Sequence, residues 1–451
     1  MAIAADVVRA ELASIVGESQ ILCGEPACAG PGVDGRLPCC VVYPTSAEQA
    51  AQVLKFAAEH GVTVIASGGG SKLGVGNPPP KYDVALCLRD MKKILHYEPA
   101  DLTAGVEAGT TFQEFQDLLR RDGLWLPLDP PGRERATLGG IVAANASGTL
   151  RQLYGTPRDM VLGMRIATTE GKVVKTGGRV VKNVAGYDLG KLMIGSFGTL
   201  GVIVEVNLKL FPIPAERETF ILSAGTLGIA RDLRRSILNS PLEPARLVLL
   251  DAAASDLIRP VASLDSAARE PEIWVEASGS KAVIDRTRKD LDQLARGVGA
   301  KVQLSAQESS QASWRLISDF SNWFHITSPE SVVLKGTMPA AHSEEFLSLA
   351  QQEAGNEKVK VTSITQVGVG IMILGLVGSN GVCPMVPLVT RLRKSLEKLG
   401  GALTVVAAPV EFKEQVDVWG TPGSGLKMMR KLKAAWDPKG ILAPGRFVGG
   451  I

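Results

Sequence analysis

Hydrophobic positions along this chain change period repeatedly, and each change predicts an element. CCVVY (39–43) is a β-branched run closed by Pro44. Ser46 then caps a helix with Gln49 three residues on, and in AEQAAQVLKFAAEH the pairs Val53/Ala57 and Leu54/Ala58 share one face. Gly61 stops that helix, and VTVIA (62–66) is a short buried strand that leads into SGGGSKLGVG (67–76). Three strand-like runs follow, DVALCL, KKILHYE and LTAGVEAG, and then a second helix, TFQEFQDLLRRDG. Its Thr111 and Glu114 have capping-box spacing, and Phe112, Phe115 and Leu119 form one stripe. MVLGMRIATTEGKVVKTG reads as a strand pair turning around Glu170 and Gly171. VIVEVNLKLF alternates: Val202, Val204, Val206, Leu208 and Leu210 face one side, and Glu205, Asn207 and Lys209 the other.

Pro212 and Pro214 break the chain after that strand. Residues 216–410 hold further strands and amphipathic helices without a comparable glycine passage, which predicts a second α+β domain. A basic helix and a Pro/Gly-rich tail, MMRKLKAAWDPKGILAPGRFVGG, close the chain. At the other end, MAIAADVVRAELASIVGE breaks its apolar pattern with Asp6, Arg9 and Glu11, so it reads as an amphipathic helix rather than a signal peptide. The longest apolar run, VGVGIMILGLVG (367–378), falls short of the roughly 20 residues a bilayer span needs. A cytoplasmic protein, peripheral to a membrane only through partners, is expected.

Composition narrows the class. With 451 residues, 45% hydrophobic and 21% charged, the chain suits a soluble enzyme of two or three domains. A net charge of +3 is too small to argue for nucleic acid. Six cysteines are present, four of them (Cys23, Cys28, Cys39, Cys40) within CGEPACAGPGVDGRLPCC, with Cys87 and Cys383 elsewhere. Their spacing matches none of the usual iron–sulfur or zinc frameworks, so reduced thiols and no metal are expected.

Glycine carries the chemistry. Gly-rich turns let backbone N–H groups approach phosphate oxygens closely. In GGGSK the lysine follows a serine, unlike the Walker A order, and Leu73 occupies the third glycine position of the nicotinamide fingerprint. Two further passages share this character, ATLGGIVAANASG (136–148) and GSFGTLG (195–201). Any one of them alone reads as a structural turn. Three within one half of the chain imply an extended dinucleotide pressed against backbone.

The order of these passages, with P-x-D-P-P, YG-x-x-R-D-x-VLG and KNVAGYDL between them, resembles the FAD-binding domain of the vanillyl-alcohol oxidase/p-cresol methylhydroxylase (PCMH-type) class. KNVAGYDLGKLMIGSFGTLGVIVEV is most similar to the FAD-binding subunit of bacterial glycolate oxidase, and WDPKGILAPGR resembles the closing tail of FAD-linked oxidases. The resemblance implies an α+β fold: a PCMH-type FAD-binding domain of two α+β subdomains with an α+β cap domain. Its implied boundaries are 1–37 for an N-terminal lead-in, 38–215 for the FAD-binding domain, 216–410 for the cap, and 411–451 for a segment returning to the FAD domain. Carried over by position, Ser67, Gly68, Gly69, Gly70, Ser71 and Leu73 wrap the pyrophosphate. Pro130, Thr137, Leu138, Gly139, Gly140, Asn145, Ala146, Ser147 and Gly148 complete a second phosphate and ribose wall. Gly198, Thr199, Gly201, Val202 and Ile203 meet flavin and adenine. For apolar members such as Leu138 and Ile203, plain core packing is the competing reading. Relatives that tether FAD commonly place a histidine in the first loop; His60, His96, His325 and His342 lie in none of the three, so non-covalent FAD is expected.

Oxidising a 2-hydroxy acid needs a cation for the carboxylate and a base for the hydroxyl proton besides the flavin. Catalytic relatives carry an H-x-G-D-G-N-type cap motif, whereas the nearest stretch here, QVGVGIMILGL (366–376), lacks histidine and carboxylate. His325, in DFSNWFHITSPE, is the remaining base candidate, and Arg446 of the APGR tail the candidate carboxylate or flavin-edge cation. The competing readings are a satisfied structural histidine and a solvated C-terminal charge. Tyr187 is a candidate for the flavin's substrate side or a residue that holds its turn, and Lys182 and Arg158 are candidate phosphate or flavin-pyrimidine contacts or plain surface residues. The resemblance therefore implies an FAD-binding subunit that takes part in oxidising a small 2-hydroxy acid. Electrons would pass to a second flavoprotein subunit or an iron–sulfur subunit. The alternatives are a self-sufficient FAD-dependent dehydrogenase and an FAD-loaded scaffold.

Overall fold

The computed structural model describes residues 5–179, 188–264, 270–378, 381 and 385–451. They divide into two compact units: Met1–Ser147 with Thr156–Ile213 and Thr421–Ile451, and Gly148–Gly155 with Pro214–Gly420. The segment Gly148–Gly155, inside the range assigned from sequence to the FAD domain, thus belongs to the second unit.

The first unit holds two sheets. In one, strands Ile21–Cys23, Cys40–Val42, Val84–Cys87 and Val64–Ser67 lie side by side in that order. The last three run parallel, so a crossover must join them. Helix Ala47–His60 supplies one: the Ser46 side chain accepts from the Gln49 N–H, and Gly61 closes the end at φ +66°. Its buried face includes the predicted Val53, Leu54 and Ala57 together with Ala50, while the predicted Ala58 is half-buried. The other sheet is antiparallel, in the order Ile94–Glu98, Thr103–Glu107, Val202–Lys209, Val161–Ala167, Val173–Gly177. Val204, Val206, Leu208 and Leu210 are buried as the alternation predicts, and Ile203 is buried too, at a bulge against Ile166.

The second unit is built on one eight-stranded antiparallel sheet. Its order is Lys301–Ser305, Glu216–Ser223, Glu272–Gly279, Arg246–Leu250, Val359–Gln366, Ile371–Gly378, Val332–Thr337, Ala402–Ala407. Alternate residues feed two cores. Phe220, Leu222, Leu247, Leu334 and Leu374 pack under helices Leu227–Leu238, Lys281–Val298, Ser343–Asn356 and Met385–Lys398. Ile221, Val248, Trp274, Val333 and Ile364 face the other way, towards helices Ala252–Ile258, Gln307–Ser318 and Phe320–Thr327. Among the described residues no helix is long and apolar enough to cross a membrane.

Candidate cofactor site

Strand Val64–Ser67 delivers the chain into the first glycine loop, and that loop is held from two sides. A Cβ at Gly68 would lie 2.0 Å from Thr137 Oγ1, and one at Gly69 only 1.5 Å from the Arg135 carbonyl oxygen. The Arg135 guanidinium donates to the Gly69 carbonyl at 3.1 and 3.2 Å. These two glycines make room for the chain's own second passage. Past them, the N–H groups of Gly69, Gly70 and Ser71 enter no hydrogen bond within the described chain, and a Cβ at Gly74 would meet nothing within 4 Å.

The second passage forms helix Leu138–Ala143, with the Thr137 side chain accepting from the Gly140 N–H. Leu138 and Gly139 donate to the Thr110 and Ala108 carbonyls, and a Cβ on Gly139 would sit 2.5 Å from the Ala108 methyl. Their N–H groups are therefore not available to a phosphate, which corrects that part of the sequence reading. Leu138 is core, as its apolar character allowed. At the helix C-terminus the chemistry changes. Asn145 adopts φ +45°, unusual outside glycine, and its buried Oδ1 has no hydrogen-bond partner. Ser147 Oγ is likewise buried and unpaired.

The third passage is pinned to that same helix end. Gly195 and Phe197 donate to the Val142 and Ala143 carbonyls at 3.1 and 2.9 Å. Phe197 and Gly198 both take positive φ, +52° and +72°. Ser196 Oγ is buried without a partner, whereas Thr199 Oγ1 donates to the Ser196 carbonyl at 2.7 Å. Gly201 abuts Ile166, and Val202 and Ile203 are buried strand residues. Three unpaired buried oxygens, on Asn145, Ser147 and Ser196, thus lie on two segments that touch. Native interiors leave few such atoms unsatisfied. Together with the idle N–H groups of Gly69, Gly70 and Ser71, they provide donors and acceptors that fit a dinucleotide with pyrophosphate and ribose. Pro130 lies in the same unit, while Gly148 opens the second one.

The closing tail is the frame of the site. Lys433 Nζ donates to the Thr199 carbonyl at 2.9 Å, to the Leu442 carbonyl at 2.7 Å, and meets Asp437 at 2.8 Å. Asp437 in turn accepts from the Ile441 and Leu442 N–H groups. Leu442 then pairs in parallel with Val64, so the tail edges the strand that feeds the first loop. Arg446 is buried, its Nη2 donating to the Val75 carbonyl at 2.6 Å and to that of Leu73, while its own carbonyl accepts from the Asn77 N–H. The structure thus places Arg446 as a clamp on the glycine loop. Burial lowers its pKa from the usual arginine range. Sequence reasoning missed Arg135 and Lys433; the only signal was two cations flanking glycine-rich or Pro/Gly-rich stretches.

The remaining candidates are elsewhere. Arg158 donates to the Lys191 carbonyl at 3.2 Å. Lys182 and Tyr187 lie outside the described residues. His325 stands on helix Phe320–Thr327 of the second unit, its Nδ1 3.2 Å from Ser331 Oγ. Burial, with the nearby Lys413 charge, lowers its pKa, which favours a neutral imidazole. Cys23 and Cys39 are exposed, and Cys28, Cys40 and Cys87 buried. Cys383 lies outside the described residues. Among those described, no group of three or more His, Cys, Asp or Glu is placed to hold a metal.

Comparison with known proteins agrees with this geometry. An FAD binding domain family matches residues 38–177, and the C-terminal domain of FAD linked oxidases matches 421–447. Over 429 residues the chain is 25% identical to glycolate oxidase subunit GlcD of Bacillus subtilis, covering 91% of this chain and 89% of that one. Over 152 residues it is 41% identical to glycolate oxidase subunit GlcE of Escherichia coli, covering 34% and 43%. In fold it is similar to p-cresol methylhydroxylase with substrate bound, at TM-score 0.77 and 18% identity over 98% of this chain and 96% of that one. The chain thus carries an FAD binding domain and the C-terminal domain of FAD linked oxidases on a PCMH-type fold, and it is an FAD-dependent oxidoreductase.

Proposed function

We propose that this chain is the FAD-binding subunit of a complex that oxidises a small 2-hydroxy acid, and that it passes electrons to a partner subunit. One observation carries the partner dependence. The strand pair Val359–Gln366 and Ile371–Gly378, which includes the stretch comparable to the catalytic cap motif, presents only apolar or amide side chains from Gln366 to Leu376. Met372, Leu374 and Leu376 are core residues and Ile373 packs on the opposite core. No proton-transferring group stands where catalytic relatives carry one. Similarity to two different glycolate oxidase subunits supports both the substrate class and the multi-subunit setting.

When bound non-covalently, FAD supplies a two-electron acceptor. The chain's own contribution is to hold it: unpaired N–H groups of the first loop for the pyrophosphate, unpaired oxygens of Asn145, Ser147 and Ser196 for hydroxyl and N–H donors, and Arg446 and Lys433 to keep the loops in register. A second flavoprotein subunit and an iron–sulfur subunit are the proposed acceptors, and any membrane association would run through them. His325 supports a second reading, a self-sufficient dehydrogenase, because its lowered pKa leaves it able to accept a proton near neutral pH.

Anaerobic addition of glycolate or D-lactate to the FAD-loaded chain, alone and with partner subunits, tests this. Bleaching of the flavin band only in the complex is the expected result. Robust turnover by the isolated chain, abolished in His325→Ala with flavin content intact, would favour the second reading. A flavin that neither substrate nor partners reduce would leave only a scaffold.

A further inference from the structure

Four of the six cysteines lie between positions 23 and 40, and the cofactor site gives them no role. The fold brings two of them together at a sheet edge. Strands Ile21–Cys23 and Cys40–Val42 run antiparallel, with Cys23 directly opposite Cys40. Opposite residues in such a ladder alternate between hydrogen-bonded and non-hydrogen-bonded pairs. The Tyr43 N–H donates to the Gln20 carbonyl at 2.9 Å, so that pair is hydrogen-bonded. Counting along the register through Ile21/Val42 and Leu22/Val41 makes Cys23/Cys40 a non-hydrogen-bonded pair. Cα atoms in that class stand about 4.5 Å apart with their side chains close together, within the roughly 4.4–6.8 Å that disulfides span.

The other two thiols are placed differently. Side chains alternate faces along a strand, so Cys40 takes the face of Val42 and leaves the opposite one to Val41. Cys28 packs with Val41, Tyr43 and Ile65, on that opposite face. Cys39 is exposed and precedes the strand. Cys23 and Cys40 also differ from each other. Cys23 is exposed, whereas Cys40 is buried. Burial first, and then the neighbouring Cys23, Cys39 and Cys28 thiols, pushes the Cys40 thiol up to about 12, so it stays protonated. An accessible sulfur beside a shielded one suits a redox pair, one thiol meeting the oxidant and the other resolving it. The loop between them, residues 24–39, is part of the packing near the first glycine loop. The Tyr82 hydroxyl donates to the Pro31 carbonyl at 3.0 Å, and Cys28 and Val33 share a buried cluster with Ala443, against which Leu73 packs.

We infer that Cys23 and Cys40 are a thiol–disulfide pair, closed by a peroxide and reopened by a thiol, that pins residues 24–39 to the sheet under oxidising conditions. Hydrogen peroxide converts the Cys23 thiolate to a sulfenic acid and releases hydroxide. Cys40 Sγ then attacks that sulfur; the S–S bond forms, the S–OH bond breaks, and the departing hydroxide leaves with the Cys40 proton as water. Two thiols thus lose two electrons and two protons, and one peroxide becomes two waters. The pair lies outside the 2-hydroxy-acid reading and does not depend on it.

Peptide mapping of the full-length chain, reduced, exposed to hydrogen peroxide at neutral pH and then alkylated, tests the pair. Expected is a link between the tryptic peptide that contains Cys23 and the one that contains Cys40, lost again in dithiothreitol. Cleavage after Glu25 distinguishes Cys23 from Cys28 as the first partner. The link should survive in Cys28→Ser and Cys39→Ser and vanish in Cys23→Ser, whose exposed position spares the fold. The oxidised chain should also melt on the order of 5 °C above the reduced one, as for closing a loop of that length. No link, a link that forms only in denaturant, or one that persists in Cys23→Ser would overturn the inference. So would an oxidised chain that melts no higher than the reduced one.

Discussion

The two units place their buried polar groups differently. In the second, the buried guanidinium and carboxylate pairs are mutually neutralised: Glu272, fully buried, also accepts from Trp274 Nε1 at 3.0 Å, and Arg246 lies 4.9 Å over the Trp314 ring. In the first, Asn145, Ser147 and Ser196 keep buried oxygens unpaired on adjoining segments. Charge pairing holds such a network together even where single atoms, such as Glu276 Oε1, stay without a hydrogen bond. An unsatisfied cluster costs stability unless a ligand completes it.

Breaking a satisfied pair should have the largest effect. Glu272→Ala leaves Arg259 buried without its partner and is expected to lower unfolding free energy by about 3–5 kcal/mol in chemical denaturation. An unchanged midpoint would mean that the pair is not buried in solution. Next comes the frame of the cofactor loop. Arg446→Met removes the donor to the Val75 and Leu73 carbonyls, for an expected loss of about 1–3 kcal/mol and release of flavin on gel filtration. Gly69→Ala should do the same by steric conflict with the Arg135 carbonyl, whereas Gly74→Ala, with open space around it, should leave the flavin-free chain unchanged.

Ser196→Ala separates the two kinds of buried polarity by sign. Removing an oxygen that has no partner should stabilise the flavin-free chain by up to about 1 kcal/mol, yet weaken FAD retention. Parallel thermal melts with and without FAD would show it; a loss of stability in both forms would place Ser196 among ordinary structural residues. A pH slope tests the second unit without removing a buried partner. Burial pushes the Asp251 carboxyl up to about 6, against the lowering hydrogen bonds it accepts from Ala254 and Ser363. Because the folded pKa exceeds the unfolded one, its contribution is fully present below about pH 4 and is lost as pH rises through 6, on the order of 2 kcal/mol. Unfolding free energy should therefore rise on acidifying from pH 7 to 5, and Asp251→Asn should flatten that part of the slope whatever its absolute stability.

Much of the first unit was legible because its signals are local. The Ser46 and Thr111 caps, the stop at Gly61 and the alternation from Val202 to Leu210 depend on residues within a few positions of one another, and the structure shows them as read. The three glycine passages were legible as a group, but their inner logic was not. Gly68, Gly69, Gly139 and Gly201 are small because the chain's own segments press on them, and only Gly74 and its like leave open space. Spacing along a chain does not distinguish a neighbour of the same protein from a ligand.

The polar residues show where sequence stops. Composition and periodicity alone determined an α+β chain with dinucleotide-type glycine loops in its first half, since backbone approach to a dinucleotide demands small residues in any context; FAD-linked oxidation entered through the resemblance those loops carry. Which cation does what was decided by tertiary structure. Arg446 became a clamp because the tail returns beside Val64, and Lys433 a strut because Thr199 and Leu442 meet there. Lys335 reads in sequence as one polar position in an alternating strand. Strand order places it between Ile373 and Thr404 on a partly covered face, and its half-burial there follows from contacts that no local pattern encodes. Desolvation and charge pairing act through space, so they are set by the fold.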